Sequence, residues 1–262
     1  MNKPFEHILI LSDFDSTFAG EKGRIVPENL EAIERFKALG GHFTFSTGRL
    51  PSVLAEIFPD FRRVANTPVI MSNGAILYEP LTGEILKEFF FDGIFARQAV
   101  KDILSRFPEM EFVVYTDDGI LLRNVPPDEV PGNNWRKMRF YCENVERVLA
   151  CRDYIQSTYG KHYNCFRSYH TIAEAVGSHV TKGNMIACLR EYYAAQGLND
   201  LLVCCIGDYE NDIDMLKNAD VAFCPSNALD AVKAVSHHIL CHHDQGAIAD
   251  MIEVIGKEIE RG

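Results

Sequence analysis

The sequence lacks the segments by which membrane and secreted proteins are recognised. No run approaches the roughly 20 apolar residues of a membrane-spanning helix, and residues 1–6 lack the apolar segment of a signal peptide. No cysteine pair has Cys-x-x-Cys spacing, and several of the eight cysteines lie within apolar runs. We therefore expect a cytoplasmic protein that makes no membrane contact and whose cysteines are reduced and buried.

Positive charge is also scarce, since 26 lysines and arginines face 37 aspartates and glutamates. The net charge of −11 argues against a nucleic-acid partner, because such a partner needs a basic stripe. An anionic substrate must then be met by local donors, since the overall field opposes it. A length of 262 residues and a hydrophobic content of 47% suit a globular protein with a large core and room for an inserted domain. The oligomeric state does not follow from these features.

Several potential zinc ligands gather near the C-terminal end of the chain. They are His237, His238, Cys241, His242 and His243. Their spacing fits no common zinc pattern, and alternate residues of a strand point to opposite faces. We interpret this segment as a strand edge followed by a loop.

The most informative stretch is the apolar run 8–11, which leads into Asp13 and Asp15. Such a run suits a parallel strand that is buried on both faces, and ligands bind beyond the carboxyl ends of such strands. The spacing of two residues directs both carboxylates to the same side of an extended chain. Close carboxylates repel unless a cation neutralises them or one takes a proton. An Asp-rich turn is the alternative, so the rest of the chain must decide.

Predicted strands and helices alternate on either side of a central block. Strands are predicted at 8–11, 42–46, 68–72, 201–206, 220–224 and 238–241, and helices at 28–39, 53–58, 182–195, 211–218, 229–235 and 247–259. This alternation is typical of α/β proteins. We expect a Rossmann-like parallel sheet with helices on both faces.

The central block, residues 80–177, has a different pattern. Helices are predicted at 95–107 and 144–159, and strands at 84–91, 111–115, 119–123, 162–168 and 171–176, with a hairpin turn at 116–119 and a proline-rich loop at 126–132. We therefore predict a discontinuous core domain, 1–79 and 178–262, with an inserted α+β domain at 80–177. Two short connections would make the insertion a hinged lid that reads the substrate, with candidate residues at 115–118 and 167–170.

Four separated pieces resemble the four motifs of the haloacid dehalogenase superfamily of phosphohydrolases. They are Asp13-Phe14-Asp15-Ser16-Thr17, Thr47-Gly48-Arg49, Lys182-Gly183 and Gly207-Asp208-Tyr209-Glu210-Asn211-Asp212. The last motif is similar to that of the Cof-type subfamily, as are Ser72-Asn73-Gly74-Ala75 and Ser226-Asn227-Ala228. An insertion between the second and third motifs matches the type IIB cap of this family.

The resemblance implies a magnesium-dependent phosphatase for small organic phosphates, most of all sugar phosphates. Asp13 would be the nucleophile that forms an aspartyl-phosphate, and Asp15 the general acid and then base. Thr47 and Lys182 would stabilise the phosphoryl group. Magnesium would bind Asp13, the backbone carbonyl of Asp15, and Asp208, with Asp212 as a ligand or an anchor. The remaining substrate-binding candidates are Gly48, Arg49, Asn73 and Asn211.

Alternatives remain at several of these positions. Asp208 and Asp212 also suit capping of the helix near Asn211, and Arg49 also suits holding a carboxylate in place. A phosphomutase of the phosphomannomutase type could use the same scaffold, and a protein that only binds phosphates is disfavoured by the presence of both aspartates. The family usually has Gly after the second aspartate, where this chain has Ser16. Because Gly permits backbone angles that Ser finds costly, we expect Ser16 to affect the geometry of this loop.

Overall fold

The computed structural model describes residues 3–116 and 121–260. The chain divides into two compact units, one formed by Met1–Leu86 with Lys182–Gly262 and the other by Lys87–Thr181. The inserted unit thus begins and ends later along the chain than the predicted range 80–177. The first residues of that range belong with the core because they form a hairpin with the strand before them.

The core unit begins with a fully buried strand and continues with short helices and strands. These elements are β1 (Ile8–Ser12), α1 (Pro27–Ala38), β2 (His42–Phe45), α2 (Pro51–Ile57), α3 (Phe61–Val64), β3 (Val69–Met71), β4 (Ile76–Tyr78) and β5 (Ile85–Glu88). All five residues of β1 are buried, as the apolar run predicts. Pro27 occupies the first turn of α1, where its missing N–H has no helical partner to lose.

The inserted unit follows with strands and two long helices. Its elements are β6 (Phe91–Asp92), α4 (Gly93–Arg106), β7 (Glu111–Thr116), β8 (Leu121–Arg123), β9 (Asn134–Tyr141), α5 (Val145–Tyr159), β10 (Tyr163–Tyr169) and β11 (Ile172–Gly177). The core then resumes with α6 (Asn184–Ala194), β12 (Leu202–Ile206), α7 (Ile213–Asn218), β13 (Val221–Pro225), α8 (Asp230–Lys233), β14 (His238–Leu240) and α9 (Ala247–Ile259).

The main core sheet has the strand order β14-β13-β12-β1-β2, and every pairing in it is parallel. In this sheet, Ser12 of β1 lies opposite Phe45 on one side and Ile206 on the other. Helix α1 packs against α9, and α6 packs against α7. The predicted α/β fold class is confirmed, and the carboxyl ends of the adjacent strands β12, β1 and β2 lie side by side.

The strand β3 corrects one part of the predicted topology. The sequence suggested a third parallel strand at 68–72, whereas β3 pairs antiparallel with β4 in a separate sheet of order β3-β4-β5. A single parallel bridge between Ser46 and Ile70 joins β3 to the end of β2. The strand turns back on itself because residues 72–74 form a tight left-handed turn.

The sheet of the inserted unit has the order β10-β11-β9-β7-β8, and β6 pairs with β9. The predicted loop at 126–132 is followed by the central strand β9, for which the sequence analysis assigned no strand. Its inward residues Trp135, Met138 and Phe140 pack with residues of α4 and α5 in one apolar cluster. The predicted hairpin turn at 116–119 lies largely outside the described residues, although β7 and β8 pair as an antiparallel hairpin requires.

No helix within residues 3–116 and 121–260 is both long and apolar enough to cross a membrane.

Candidate active site

Three of the four motifs follow adjacent strands of the core sheet, β1, β2 and β12. Asp13 directly follows β1, and its amide donates to the carbonyl of Ile206 at the end of β12 (2.9 Å). Ser46 follows β2 and donates to the carbonyl of Ser12 (2.8 Å), so the next residue, Thr47, starts from beside Asp13. The structure therefore brings the first, second and fourth motifs to the same edge of one sheet.

Lys182 connects the third motif to the first and fourth motifs. It lies just before α6, and its Nζ donates to Oδ1 of Asp13 and to Oδ1 of Asp212, at 2.6 Å in both cases. The residue is 1% exposed, so it is a buried cation rather than a solvated lysine at a helix start. A cation this deeply buried must be paired, and two carboxylates pair it here.

Asp212 is held by the loop that carries the fourth motif. Its Oδ2 accepts hydrogen bonds from the amides of Asp208 and Tyr209, both at 3.1 Å. A Cβ placed on Gly207 would lie 2.5 Å from the side chain of Asp212, so only glycine lets the loop close this tightly. Asp212 is therefore both the anchor of its own loop and a partner of Lys182.

Asp13, Asp208 and Asp212 form a buried acidic cluster in which one oxygen from each lies within 4.8 Å of the others. The hydroxyl of Thr17 donates to Oδ1 of Asp208 (3.0 Å) and fixes its orientation. These three carboxylates and the ammonium of Lys182 give a formal charge of −2 when all are ionised. A cluster with only oxygen donors and this excess charge fits a hard divalent cation.

The electrostatic state of the cluster shows the same excess of negative charge. Burial and then the nearby Asp212 carboxylate raise the pKa of Asp13 to about 7. Burial and then Asp13 raise the pKa of Asp208 well above its ordinary value. Burial alone lowers the pKa of Lys182, but Asp13 and Asp212 outweigh it and raise that pKa above its ordinary value. The carboxylates thus keep Lys182 charged and still favour further positive charge.

Asp15 is not a member of the acidic cluster and is paired with Arg49. Its side chain is 52% exposed and receives two hydrogen bonds from Arg49, from Nε at 2.8 Å and from Nη2 at 2.6 Å. A carboxylate held in this bidentate way is an acceptor only, so it must exchange partners before it can donate a proton. The structure gives Arg49 the carboxylate-holding contact that the sequence left open.

Thr47 and Asn73 form a second polar group beside the acidic cluster. Thr47 is fully buried, its hydroxyl accepts the amide hydrogen of Arg49 (3.2 Å), and its carbonyl accepts that of Asn73 (3.0 Å). A Cβ on Gly48 would lie 3.1 Å from the amide group of Asn73. Glycine at this position therefore lets Asn73 pack closely, and a larger residue would require the Asn73 side chain to shift.

The turn that carries Asn73 is unusual because Ser72, Asn73 and Gly74 all have left-handed backbone angles, with φ of 52°, 56° and 97°. Left-handed residues other than glycine concentrate at functional sites. Asn211 donates from Nδ2 to Oδ1 of Asn73 (3.1 Å), and its own Oδ1 is buried and accepts no hydrogen bond from the described residues. This pair links the second polar group to the loop of Asp208 and Asp212.

Two residues near the site were not chosen from the sequence as functional. Thr17 supports Asp208, and its place in the first motif was the available signal. Asn227 follows β13 and donates from Nδ2 to the carbonyl of Ser16 (2.9 Å). The Ser-Asn-Ala segment that contains it was noted for its resemblance, without a role.

The histidine-rich segment forms the predicted strand edge and loop, with β14 at His238–Leu240. In the loop, His242, His243 and Asp244 are close enough to bind a metal ion. Two of them also have structural contacts, since Asp244 accepts the amide hydrogen of Glu21 (2.9 Å) and His243 Nδ1 lies 3.1 Å from the carbonyl of Ala19.

Comparison with known proteins agrees with this geometry. The family model of the haloacid dehalogenase-like hydrolases matches residues 10–129 and 123–252. A pyridoxal phosphate phosphatase of Escherichia coli is 24% identical, with 93% of this chain and 97% of that protein covered. A 5-amino-6-(5-phospho-D-ribitylamino)uracil phosphatase of Bacillus subtilis is 22% identical, with 96% and 97% covered.

A solved structure of a sugar phosphatase from subclass IIB of the same superfamily superposes with a TM-score of 0.79 at 18% identity, covering 95% of this chain and 98% of that one. This likeness concerns the fold, whereas the family match covers most of the sequence. The predicted resemblance is confirmed: the chain belongs to the haloacid dehalogenase-like hydrolases and is a phosphatase of the Cof type.

Proposed function

We propose that this protein is a magnesium-dependent phosphatase that hydrolyses small phosphomonoesters, sugar phosphates among them, through an aspartyl-phosphate on Asp13. The observation that carries the proposal is the buried contact of Lys182 with Asp13 and Asp212, beside Asp208. Phosphoryl transfer needs a nucleophile, a proton source and positive charge around the transferred group. The core unit supplies candidates for all three.

Asp13 attacks phosphorus with one carboxylate oxygen while Lys182 holds the other. The short contact from Lys182 Nζ to Asp13 Oδ1 fixes the carboxylate, so the free oxygen is the attacking atom. Lys182 also offsets charge on the phosphoryl oxygens, and the Thr47 hydroxyl donates its proton to one of them. Gly48, Arg49, Asn73 and Asn211 complete the proposed substrate contacts at this edge.

Asp15 protonates the leaving oxygen and then removes a proton from the water that hydrolyses the aspartyl-phosphate. Its half-exposed position suits a group that exchanges protons with substrate and solvent. Arg49 must release Asp15 before the first of these steps, because the bidentate contact leaves no room for a proton between them.

Asp13, Asp208 and Asp212, together with the backbone carbonyl of Asp15, would hold magnesium. When bound, the ion neutralises charge on the phosphate and on the acidic cluster. The all-oxygen donor set and the formal charge of −2 support this choice over a softer metal.

The relatives support a small phosphorylated substrate. One is named for pyridoxal phosphate, one for a phosphorylated ribityl compound, and a structural neighbour is described as a sugar phosphatase. All three names are those of phosphatases, so no observation favours the phosphomutase alternative. We propose a cytoplasmic location, since a reducing compartment suits the cysteines that lie within apolar runs of the sequence.

We also propose that the inserted unit recognises the part of the substrate beyond the phosphate. The core groups described above all concern the phosphoryl group and the metal, so substrate preference needs another source. The polar residues of 115–118 and 167–170 remain our candidates, and Asp117 and Asp118 of the first segment lie outside the described residues. Substituting these side chains should alter relative rates among sugar phosphates and spare a small aryl phosphate.

The test of the proposed function is phosphate release from a panel of phosphorylated metabolites, with chelator and with added magnesium. We expect release only with the metal, and free phosphate rather than an isomerised sugar phosphate. Asp15→Asn should retain labelled phosphate on Asp13 after an acid quench, because hydrolysis loses its base. Two results would refute the proposal. One is full turnover in chelator with the metal verified absent, and the other is an active Asp13→Asn variant together with no phosphate label on the protein.

A further inference from the structure

Ser16 has a backbone conformation that serine rarely adopts. Its φ is 59°, in the left-handed region, and it directly follows the proposed acid and base Asp15. Non-glycine residues are disfavoured there because the Cβ approaches the following carbonyl oxygen. At this position the family usually has Gly, which carries no such cost. This chain therefore needs another interaction to keep the loop in place.

Asn227 supplies such an interaction. Its Nδ2 donates to the carbonyl of Ser16 (2.9 Å), and its Oδ1 accepts the amide hydrogen of His243 (3.1 Å). Because a carbonyl can only accept and an amide N–H can only donate, these two contacts fix which side-chain atom is which. Asn227 thus ties the strained residue to the loop after β14.

Residues that follow Ser16 in the chain also make polar contacts with the same loop. His243 Nδ1 lies 3.1 Å from the carbonyl of Ala19, and Asp244 Oδ1 accepts the amide hydrogen of Glu21 (2.9 Å). Both contacts lie farther from Asp15 along the chain than the contact of Asn227 does. Asn227 is therefore the anchor that acts on the peptide next to Asp15.

The neighbours of the strained residue are fixed independently of Asn227. The amide of Asp13 donates a hydrogen bond to the carbonyl of Ile206, and the hydroxyl of Thr17 donates one to the carboxylate of Asp208. Between these fixed points, the backbone angles of Ser16 set the direction of the Asp15 carbonyl and of the chain that carries the Asp15 side chain. Loss of the left-handed conformation would turn both away.

We propose that Asn227 is a positioning residue that holds Ser16 in the left-handed conformation and thereby orients Asp15, replacing the glycine that usually makes this conformation free of strain. The inference rests on the proposed function of Asp15. The proposal requires that the effect of removing the Asn227 side chain depends on residue 16. Activity should fall when residue 16 is serine and fall much less when it is glycine.

The test compares wild type, Asn227→Ala, Ser16→Gly and the double variant, with kcat/KM for an alkyl phosphate and for p-nitrophenyl phosphate. An alkoxide leaving group needs a proton from Asp15, whereas p-nitrophenolate leaves without one, and kcat/KM reports the steps up to the aspartyl-phosphate. In the serine background, Asn227→Ala should lower kcat/KM about tenfold for the alkyl phosphate and clearly less for p-nitrophenyl phosphate. In the Ser16→Gly background, the same change should cost less than about threefold for either substrate.

Asn66 offers a matched control within the core unit. Like Asn227, it bridges two backbone groups, since its Oδ1 accepts from the amide of Phe43 (2.7 Å) and its Nδ2 donates to the carbonyl of Gly41 (3.0 Å). It lies at the opposite end of β2 from the site. Asn66→Ala should lower stability without changing the ratio of the two kcat/KM values in either background.

A readout without catalysis separates this inference from the proposed function. In a crystal structure of Asn227→Ala, Ser16 should leave the left-handed region, and in the double variant the glycine at that position should keep it. An unchanged φ at Ser16, or equal losses for both substrates and in both backgrounds, would overturn the positioning role. A wild-type protein without phosphatase activity would instead overturn the proposed function and leave the structural comparison to decide the role of Asn227. If Asn227→Ala does not fold, Asn227→Asp, which keeps the acceptor for His243, takes its place with the same expected outcomes.

Discussion

The two units of this protein each bury a lysine, and the surroundings of the two lysines differ. In the inserted unit, Lys137 on β9 donates to Glu174 on β11 (2.8 Å), and the two residues are 3% and 4% exposed. In the core unit, Lys182 donates to the carboxylates of Asp13 and Asp212, and one oxygen of a third carboxylate, Asp208, lies within 4.8 Å of an oxygen of each. The contact between Lys137 and Glu174 joins one charge of each sign, whereas the core cluster has a formal excess of two negative charges.

This difference indicates what each buried lysine does. A buried ion pair is costly to break but is complete in itself. A cluster with excess carboxylates is unfavourable until protons or a cation join it, and such clusters mark functional sites. We therefore propose that the core cluster binds a ligand, and we expect the contact in the insertion to be structural. Matched substitutions in the two units should therefore have different effects.

The largest expected difference concerns activity. Asp13→Asn should lower turnover of p-nitrophenyl phosphate by at least about a thousandfold, because an amide cannot form the aspartyl-phosphate. Glu174→Gln removes a buried carboxylate from the other unit and should leave this turnover close to wild type. Steady-state rates with phosphoenzyme trapping check both, and comparable losses in the two variants would end the distinction.

The next largest effect concerns stability after loss of the lysine. Lys137→Met breaks the buried contact with Glu174, which should cost about 3–5 kcal/mol of unfolding free energy. Lys182→Met strands three carboxylates in the metal-free protein and should cost more. Urea denaturation at pH 8 measures both. At pH 5, where the stranded groups take up protons, the core variant should recover more of its stability; a smaller cost for Lys182→Met would contradict the account.

Removing one carboxylate from each unit should change stability in opposite directions. Without metal, Asp208→Asn should stabilise the protein by about 1 kcal/mol, since it relieves repulsion and its amide oxygen can still accept from Thr17. Glu174→Gln should destabilise it by about 2–3 kcal/mol, because it removes the carboxylate from the buried contact with Lys137. Thermal or urea unfolding in chelator gives both signs. The same sign for both variants would argue against an excess of charge in the core.

Stability should also depend on pH. The pKa of Asp13 is raised from 3.8 to about 7, so the folded protein binds this proton more tightly than the unfolded chain. Its contribution to stability is full below about pH 4 and is lost as pH rises through 7. Stability of the metal-free wild type should therefore decline between pH 5 and pH 8 relative to Asp13→Asn. If the difference in unfolding free energy between wild type and Asp13→Asn did not change with pH, the pKa of Asp13 would not be raised in the folded protein.

The sequence predicted the core better than the insertion, for reasons that particular residues show. In the core, apolar runs such as 8–11 and 201–206 indicate strands that are buried on both faces, and the motifs lie at their ends. In the insertion, β9 carries Arg136 and Lys137, which are 4% and 3% exposed. Charged residues inside a strand break the apolar alternation, so the central strand of that sheet had no signal.

Parts of the site also depend on contacts that spacing cannot reveal. The pattern Asp13-x-Asp15 predicted two carboxylates on the same side of the extended chain. In the structure the Asp15 carboxylate is instead paired with the Arg49 guanidinium and is not a member of the acidic cluster. Serine in place of the usual glycine drew attention to the geometry of this loop, and only the structure shows that residue 16 has a left-handed angle. The compensating contact from Asn227 arises from a loop 211 residues away in sequence, which only the fold brings near.

The measurement that tests the central claim most directly is calorimetric titration of the metal-free protein with magnesium at pH 8. If the excess charge of Asp13, Asp208 and Asp212 is a site for a divalent cation, wild type and Glu174→Gln should both show saturable binding of one ion. Asp208→Asn should bind at least about tenfold more weakly, because one carboxylate ligand is lost. Equal affinity in wild type and Asp208→Asn, or no binding to wild type, would contradict the account.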